Sequence, residues 1–251
     1  MRGLQFSGEE EQAARRDLAM LCRLIDHFGW TELIFNHVSL RVPGEPRHYL
    51  MNPLGLHYSE VTPESIIKVD AAGRPVEPTA HLPNPGGFAL HGLIHEARPA
   101  VQCVVHVHTT AICAIGMKRD GLDHDSFYGA QLAGRVGYHG FEGLSLSDDE
   151  KARVLEALGS HDVLILANHG ASVCAADVPR AFLLLWQLQR AAEIECAAGA
   201  IPGPNRRLSD AVRASCAADF AGYVDGDGVA RLSFEAMIRV TNTKRSRDGR
   251  N

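Results

Sequence analysis

The sequence predicts one α/β layered domain, and three observations carry that reading. Capped segments with helical period alternate irregularly with short strand patterns, no internal repeat recurs, and no linker is long enough to divide the 251 residues. The expectation is a single domain over residues 1–251, ending in a flexible basic tail from about 241 that contains Lys244-Arg245-Ser246-Arg247.

The elements follow in order. Ser7 and Glu10 have capping-box spacing ahead of Ala14, Leu18, Leu21, Cys22, Ile25 and Phe28, a helical period that Gly29 ends. Leu33 to Val42 alternates as a strand, with Ile34, Asn36, Val38, Leu40 and Val42 on one face and Phe35, His37, Ser39 and Arg41 on the other. Pro43-Gly44-Glu45-Pro46 reads as a hairpin turn into a strand near His48 to Asn52. Residues 53–85 are rich in Pro and Gly, with short strand pieces such as Ile66 to Val69. Asn84 is placed to cap a helix that has Pro85 in its first turn and runs to about Ala97, where Arg98-Pro99 breaks it. A strand from Val101 to His108 and a short helix from Thr109 to Met117 come next, then a loop-rich stretch over 119–146 that holds one candidate strand. Ser147 and Glu150 form a second capping box for a helix ending at Gly159. Val163 to Ala167 and Ser172 to Cys174 read as strands, and Asp177 and Pro179 open the longest helix, to about Ala198, with Gly199 as its stop. On that helix Phe182 and Trp186 lie four apart, a stripe read as packing.

Composition narrows the function. A formal net charge of −5 argues against nucleic-acid binding, which needs a clustered basic excess. No apolar run approaches the roughly 18 residues of a membrane span, and Met1 to Glu11 is polar and acidic rather than a signal peptide. The six cysteines form no C-x-x-C pair and lie mostly in apolar stretches, which reads as free thiols in a reducing, cytoplasmic setting. Histidine is the unusual residue, with 13. It is the commonest metal ligand and the usual acid–base group near neutral pH.

Residues two apart on a strand share a face, so His106 and His108 project together from the end of theirs, opposite an apolar row of Val101, Cys103, Val105 and Val107. His169, in Asn168-His169-Gly170, follows another strand where glycine permits a sharp turn. Three imidazoles on one cation would leave coordination positions open, as catalytic sites do. Spacing alone leaves the alternative open that these histidines serve ordinary hydrogen bonds.

Several segments together resemble the class II aldolase/adducin family. His91-x-x-Ile94-His95-x-x-Arg98-Pro99 leading into Cys103-Val104-Val105-His106-Val107-His108-Thr109 resembles its central helix and metal-binding strand. Leu164-Ile165-Leu166-Ala167-Asn168-His169-Gly170 resembles its second motif, and Asn36-His37-Val38-Ser39-Leu40-Arg41 and Tyr58-Ser59-Glu60-Val61-Thr62 its N-terminal segments. The resemblance runs from about Leu18 to about Asn205. It implies a three-layer α/β/α fold around a mixed, largely antiparallel sheet, homotetramers, and one divalent cation (Zn, Fe or Mn) on His106, His108 and His169. The family's sugar-phosphate enzymes carry a Ser-Ser-Glu segment whose Glu transfers protons. Here that stretch reads Pro85-Gly86-Gly87-Phe88, with Gly87 at the Glu position, and His37 stands where those enzymes have the Asn of a phosphate loop. A sugar-phosphate substrate is therefore not expected. The adducin-like branch is the nearer match, including Tyr138-His139-Gly140-Phe141-Glu142-Gly143.

These features lead to the expectation of a metal-dependent lyase, a decarboxylase or aldolase acting on a small non-phosphorylated hydroxy, keto or aromatic carboxylic acid. A Lewis-acidic cation would stabilise the charge left when a carbon–carbon bond breaks. Tyr138, His139 and Glu142 are the candidate catalytic proton donors, and His37, Ser39, Arg41 and His91 the candidate substrate-binding residues, with Arg41 read as a carboxylate clamp. Two other readings stay open: a nonheme Fe(II) oxygenase on the same three histidines, and a non-catalytic adducin-like interaction domain.

Overall fold

The computed structural model describes residues 8–143, 145–226 and 228–247. Ser7, and with it the first half of the N-terminal capping box, lies outside them. Residues cluster into two compact units, the first running through Val105 with Ala175–Val178 and the segment from Glu235, the second holding His106–Cys174 and Pro179–Phe234.

The first unit opens with helix α1 (Gly8–His27), which buries Leu18, Leu21, Cys22, Leu24 and Ile25 on one face. Gly29, at φ 71°, lets the chain turn away so that the Trp30 amide still donates to Ile25 O at 2.9 Å. The predicted strand from Leu33 begins only at His37, as β1 (His37–Val42). Leu33 has φ 48°, and the Phe35 amide closes a turn onto Glu32 O at 2.8 Å. The Asn36 amide group, buried, donates to Trp30 O at 2.7 Å. A turn anchored by the buried Asn36 thus overrides an alternation that suited a strand. Strand β2 (Glu45–Met51) pairs antiparallel with β1 and with β3 (Ile67–Asp70). Tyr49, Met51, Ile67 and Val69 pack with Phe88 of helix α2 (Pro85–Ala97) into one apolar cluster. Asn84 caps α2 as the sequence predicts, its side-chain oxygen accepting from the Gly87 amide at 2.9 Å. Strand β4 (Cys103–Val107) is buried along its whole length, so both of its faces are covered.

In the second unit, α3 (Thr110–Gly116) starts at the Thr109 cap. The loop-rich stretch holds a short helix α4 (Phe127–Gln131) that the sequence reading lacked, and the candidate strand is β5 (Val136–His139). The capping box of Ser147 and Glu150 starts α5 (Asp148–Leu158), and Gly159 ends it at φ 48°. Strands β6 (Val163–Leu166) and β7 (Gly170–Ala175) form an antiparallel hairpin, with β5 parallel to β6. Helix α6 (Val178–Gly199) ends at the predicted glycine.

Two further helices, α7 (Asp210–Asp225) and α8 (Val229–Arg247), are absent from the sequence reading. The backbone is helical where a flexible tail from about 241 was expected. Thr241 is buried, and its hydroxyl donates to Met237 O at 2.8 Å, one turn back. Strand order is β3-β2-β1-β4-β7-β6-β5. The fold is the expected α/β class, a three-layer arrangement on a mixed, largely antiparallel sheet. Among the described residues no helix is long and apolar enough to cross a membrane.

Candidate metal centre

His106, His108 and His169 converge. The Nε2 atoms of His106 and His108 are 2.7 Å apart, and those of His108 and His169 are 3.0 Å apart. A cation held tetrahedrally by imidazoles at about 2.0–2.1 Å would set neighbouring nitrogens about 3.3 Å apart. The two observed spacings, 2.7 and 3.0 Å, are shorter than that, so a cation would spread the three rings slightly.

Each ring is aimed by a specific local device. His106 sits in β4, and its Nδ1 is 3.0 Å from the buried Ser172 hydroxyl on β7. With the Nδ1 proton donated to that oxygen, Nε2 is left with its lone pair toward the centre, as a metal ligand requires. His108 follows directly after the strand, held between it and Thr109, whose hydroxyl donates to Gln189 of α6 at 2.5 Å. His169 occupies the last place of the three-residue β6–β7 loop. Asn168 takes φ 56° there, a left-handed conformation that asparagine tolerates better than most residues. The Cys113 thiol donates to His169 O at 2.9 Å and ties the loop to α3. Gly170 then leaves room for the ligands: a Cβ there would stand 2.5 Å from Val107 O and 2.8 Å from His108 Cδ2. Asn-His-Gly is thus a bend, a candidate ligand and a space.

Electrostatics favour the same use. Burial pushes His108 down to about 4, helped by the neighbouring His169, and burial also lowers His169. Neutral imidazole is the form that binds a metal. The buried, convergent donor set fits one divalent cation.

The remaining candidates divide. His139 and Glu142 are brought together with Glu150, their ligand atoms within 4.8 Å of one another. The His139 Nε2 lies 3.0 Å from Glu150 Oε1 and 3.8 Å from Glu142. Glu150 also completes the α5 capping box, so this cluster anchors a helix start. Glu142 is paired with Arg153, which holds its carboxyl below the usual range. The Tyr138 hydroxyl accepts from the Leu122 amide at 3.0 Å, away from the His139 cluster. Phe141, which the sequence reading passed over, brings this segment to the centre, its ring 6.3 Å from that of His169.

In the first unit His37, Ser39 and His91 do meet, joined by His95: the Ser39 hydroxyl is 2.8 Å from both His91 Nδ1 and His95 Nε2. Arg41 is engaged within the first unit. Its guanidinium binds Pro46 O, the Tyr49 hydroxyl at 3.3 Å and His95 O at 2.6 Å, and lies over the Tyr49 ring. It fastens a carbonyl in the last turn of α2 that has no partner within the helix. Sequence reasoning undervalued His95, although its i, i+4 spacing from His91 on a helix was visible, and missed Ser172, a lone hydroxyl in an apolar strand.

Residues 16–196 match the family of class II aldolase and adducin N-terminal domains. The chain belongs to that family. A family member from Pseudomonas aeruginosa, provisionally named an aldolase class 2 protein, is 40% identical over 191 residues, 76% of this chain and 73% of its own. Alpha-adducin of Rattus norvegicus is 36% identical over 252 residues, which cover 95% of this chain but only 34% of the adducin. The crystal structure of an aldolase II superfamily protein from Pseudomonas syringae matches at a TM-score of 0.89 and 34% identity, covering 96% of each chain.

Proposed function

We propose that this protein is a metal-dependent carbon–carbon lyase acting on a small, non-phosphorylated hydroxy or keto carboxylic acid, by decarboxylation or aldol cleavage. The observation that carries this reading is the convergence of three imidazole nitrogens, at 2.7 and 3.0 Å, on one point. His106, His108 and His169 would hold the cation, and three ligands leave positions for substrate oxygens. When bound, such a cation supplies Lewis acidity to those oxygens. Ser172 would accept from His106 Nδ1–H and leave Nε2 for the cation, and Gly170 gives the His108 ring its space. Phe141 packs an apolar ring toward His169 and would help exclude water. Gly86 and Gly87 offer no side chain to a phosphate, which supports a non-phosphorylated substrate.

The test pairs metal analysis with turnover. The wild type purified without chelators is expected to carry about one divalent ion per chain and to release carbon dioxide or an aldehyde from a panel of hydroxy and keto acids. His106→Ala with His108→Ala should lose both the ion and the turnover. Retained turnover in that variant, or turnover that demands dioxygen, would refute the lyase reading.

A second reading is favoured by the adducin similarity, which spans 95% of this chain. On it the fold serves as an oligomeric interaction module without chemistry. A wild-type protein that assembles into a homo-oligomer, such as a tetramer, yet holds no metal would decide for it.

A further inference from the structure

Four side chains of the first unit are joined end to end. His95 Nδ1 lies 3.2 Å from Val101 O, and His95 Nε2 lies 2.8 Å from Ser39 Oγ. Ser39 Oγ is 2.8 Å from His91 Nδ1, and His91 Nε2 is 2.9 Å from His37 Nδ1. Exposure along the chain is 0% at His95 and Ser39, 1% at His91 and 7% at His37. The Tyr49 ring stacks on His95 with centroids 4.8 Å apart.

A backbone carbonyl can only accept, so the Val101 end sets the direction of every bond. His95 must carry its proton on Nδ1 and donate it there. Burial, with the Arg41 charge beside it, holds His95 neutral and pushes it down to about 3, so its Nε2 keeps a lone pair. That lone pair takes the Ser39 hydroxyl proton. The Ser39 oxygen then accepts from His91 Nδ1–H, which leaves Nε2 of a neutral His91 as the acceptor for His37 Nδ1–H. Each ring carries its proton on Nδ1, and the lone pair of His37 falls on Nε2.

That edge of His37 has a defined place. A Cβ built on Gly87 would stand 2.5 Å from His37 Cδ2 and 2.8 Å from its Nε2. The imidazole edge occupies the space that any side chain at position 87 would need.

We infer that His91, Ser39 and His95 are positioning residues that lock His37 in its Nδ1–H tautomer, making its Nε2 edge beside Gly87 a proton acceptor for a hydroxyl or carboxyl group of a ligand. In the transfer the ligand O–H bond breaks, an N–H bond forms at Nε2, and the ligand is left as an oxyanion beside an imidazolium. The use of this step in turnover rests on the lyase reading, whereas the tautomer lock stands on the first unit alone.

The test is two-bond proton–nitrogen correlation NMR on the full chain with nitrogen-15 histidine, at neutral pH and without substrate. His37, His91 and His95 are expected in the Nδ1–H form, the opposite of the Nε2–H form that free histidine favours. Ser39→Ala should move His91 and His37 toward Nε2–H, and Ser39→Thr, which restores the hydroxyl, should move them back. Unchanged resonances of His106, His108 and His169 would show that each variant is folded. A wild-type His37 in the Nε2–H form, a charged His91, or a Ser39→Ala spectrum in which His37 keeps its tautomer would overturn the inference. The outcomes separate the two proposals. A locked His37 in a protein that cleaves no acid refutes the lyase reading alone, and an active lyase with an Nε2–H His37 refutes the relay alone.

Discussion

Gly170→Ala isolates the packing that lets three histidines share one point. The added Cβ would fall 2.5 Å from Val107 O and 2.8 Å from His108 Cδ2, whereas comfortable carbon contacts lie at about 3.5–4.0 Å. Relief requires roughly an ångström of movement, either of a buried strand carbonyl or of the ligand ring. Overpacking of this kind costs about 1–3 kcal/mol. At this chain length each kcal/mol shifts Tm by roughly 2–4 °C, so metal-free protein should melt about 2–12 °C lower. Displacing the His108 ring should also weaken divalent metal binding by roughly 10–100-fold, the usual effect of removing ligand support. The assay is thermal unfolding of chelator-stripped protein, followed by zinc titration against a chromophoric competitor. Gly199→Ala, where nothing lies within 4 Å of the new carbon, is the control and should leave zinc affinity unchanged. Wild-type melting and zinc affinity in Gly170→Ala would show that the close approach does not constrain the site.

Ser172→Ala removes the acceptor for His106 Nδ1–H and should lower zinc affinity by about 10–100-fold with little change in overall structure; an unchanged titration would refute a role in orienting the ring. His95, at about 3 in the folded chain against 6.5 unfolded, makes stability depend on pH. The unfolded chain binds the extra proton below 6.5, so this contribution is complete above that value and is lost as pH falls toward 3. Between pH 6.5 and 5 the loss is about 2 kcal/mol, read in urea unfolding as the difference between wild type and His95→Gln, and equal pH slopes for the two would be the contrary result. Gly87→Glu and His37→Asn should be coupled. The first alone should destabilise by about 1–3 kcal/mol, and the pair by less than the sum of the singles, so additive unfolding energies would count against the packing account.

Much of the fold was legible because its signals are local. Asn84 with Pro85, and Ser147 with Glu150, mark helix starts through bonds made within one turn, and both hold in the structure. His106 and His108 were legible through the period of a strand, and His169 through its neighbours Asn168 and Gly170. What failed to show depends on partners far away in sequence. The residues at 33–36 alternate like a strand, yet Asn36 is taken up by Trp30 O. The bond from Arg41 to His95 O, 54 positions later, has no local signal either. Helices α7 and α8 lack a strong apolar stripe, so tertiary packing around Phe220 and Phe234 carries them and periodicity does not announce them.

The two departures from the sugar-phosphate pattern, at positions 37 and 87, read from the sequence as separate losses, an asparagine of the phosphate loop and an acidic base. In three dimensions they are one exchange. With 2.5–2.8 Å between a side chain at 87 and the His37 ring, the chain holds a carboxylate on α2 or an imidazole from β1, and cannot hold both without shifting one. A glycine that seemed only to subtract chemistry therefore makes room for a group that can accept a proton. That group is backed by Ser39, His91 and His95, whose contacts lead one after another to the carbonyl of Val101. A missing catalytic residue is then weak evidence for missing catalysis wherever a neighbouring ring has taken over the vacated volume.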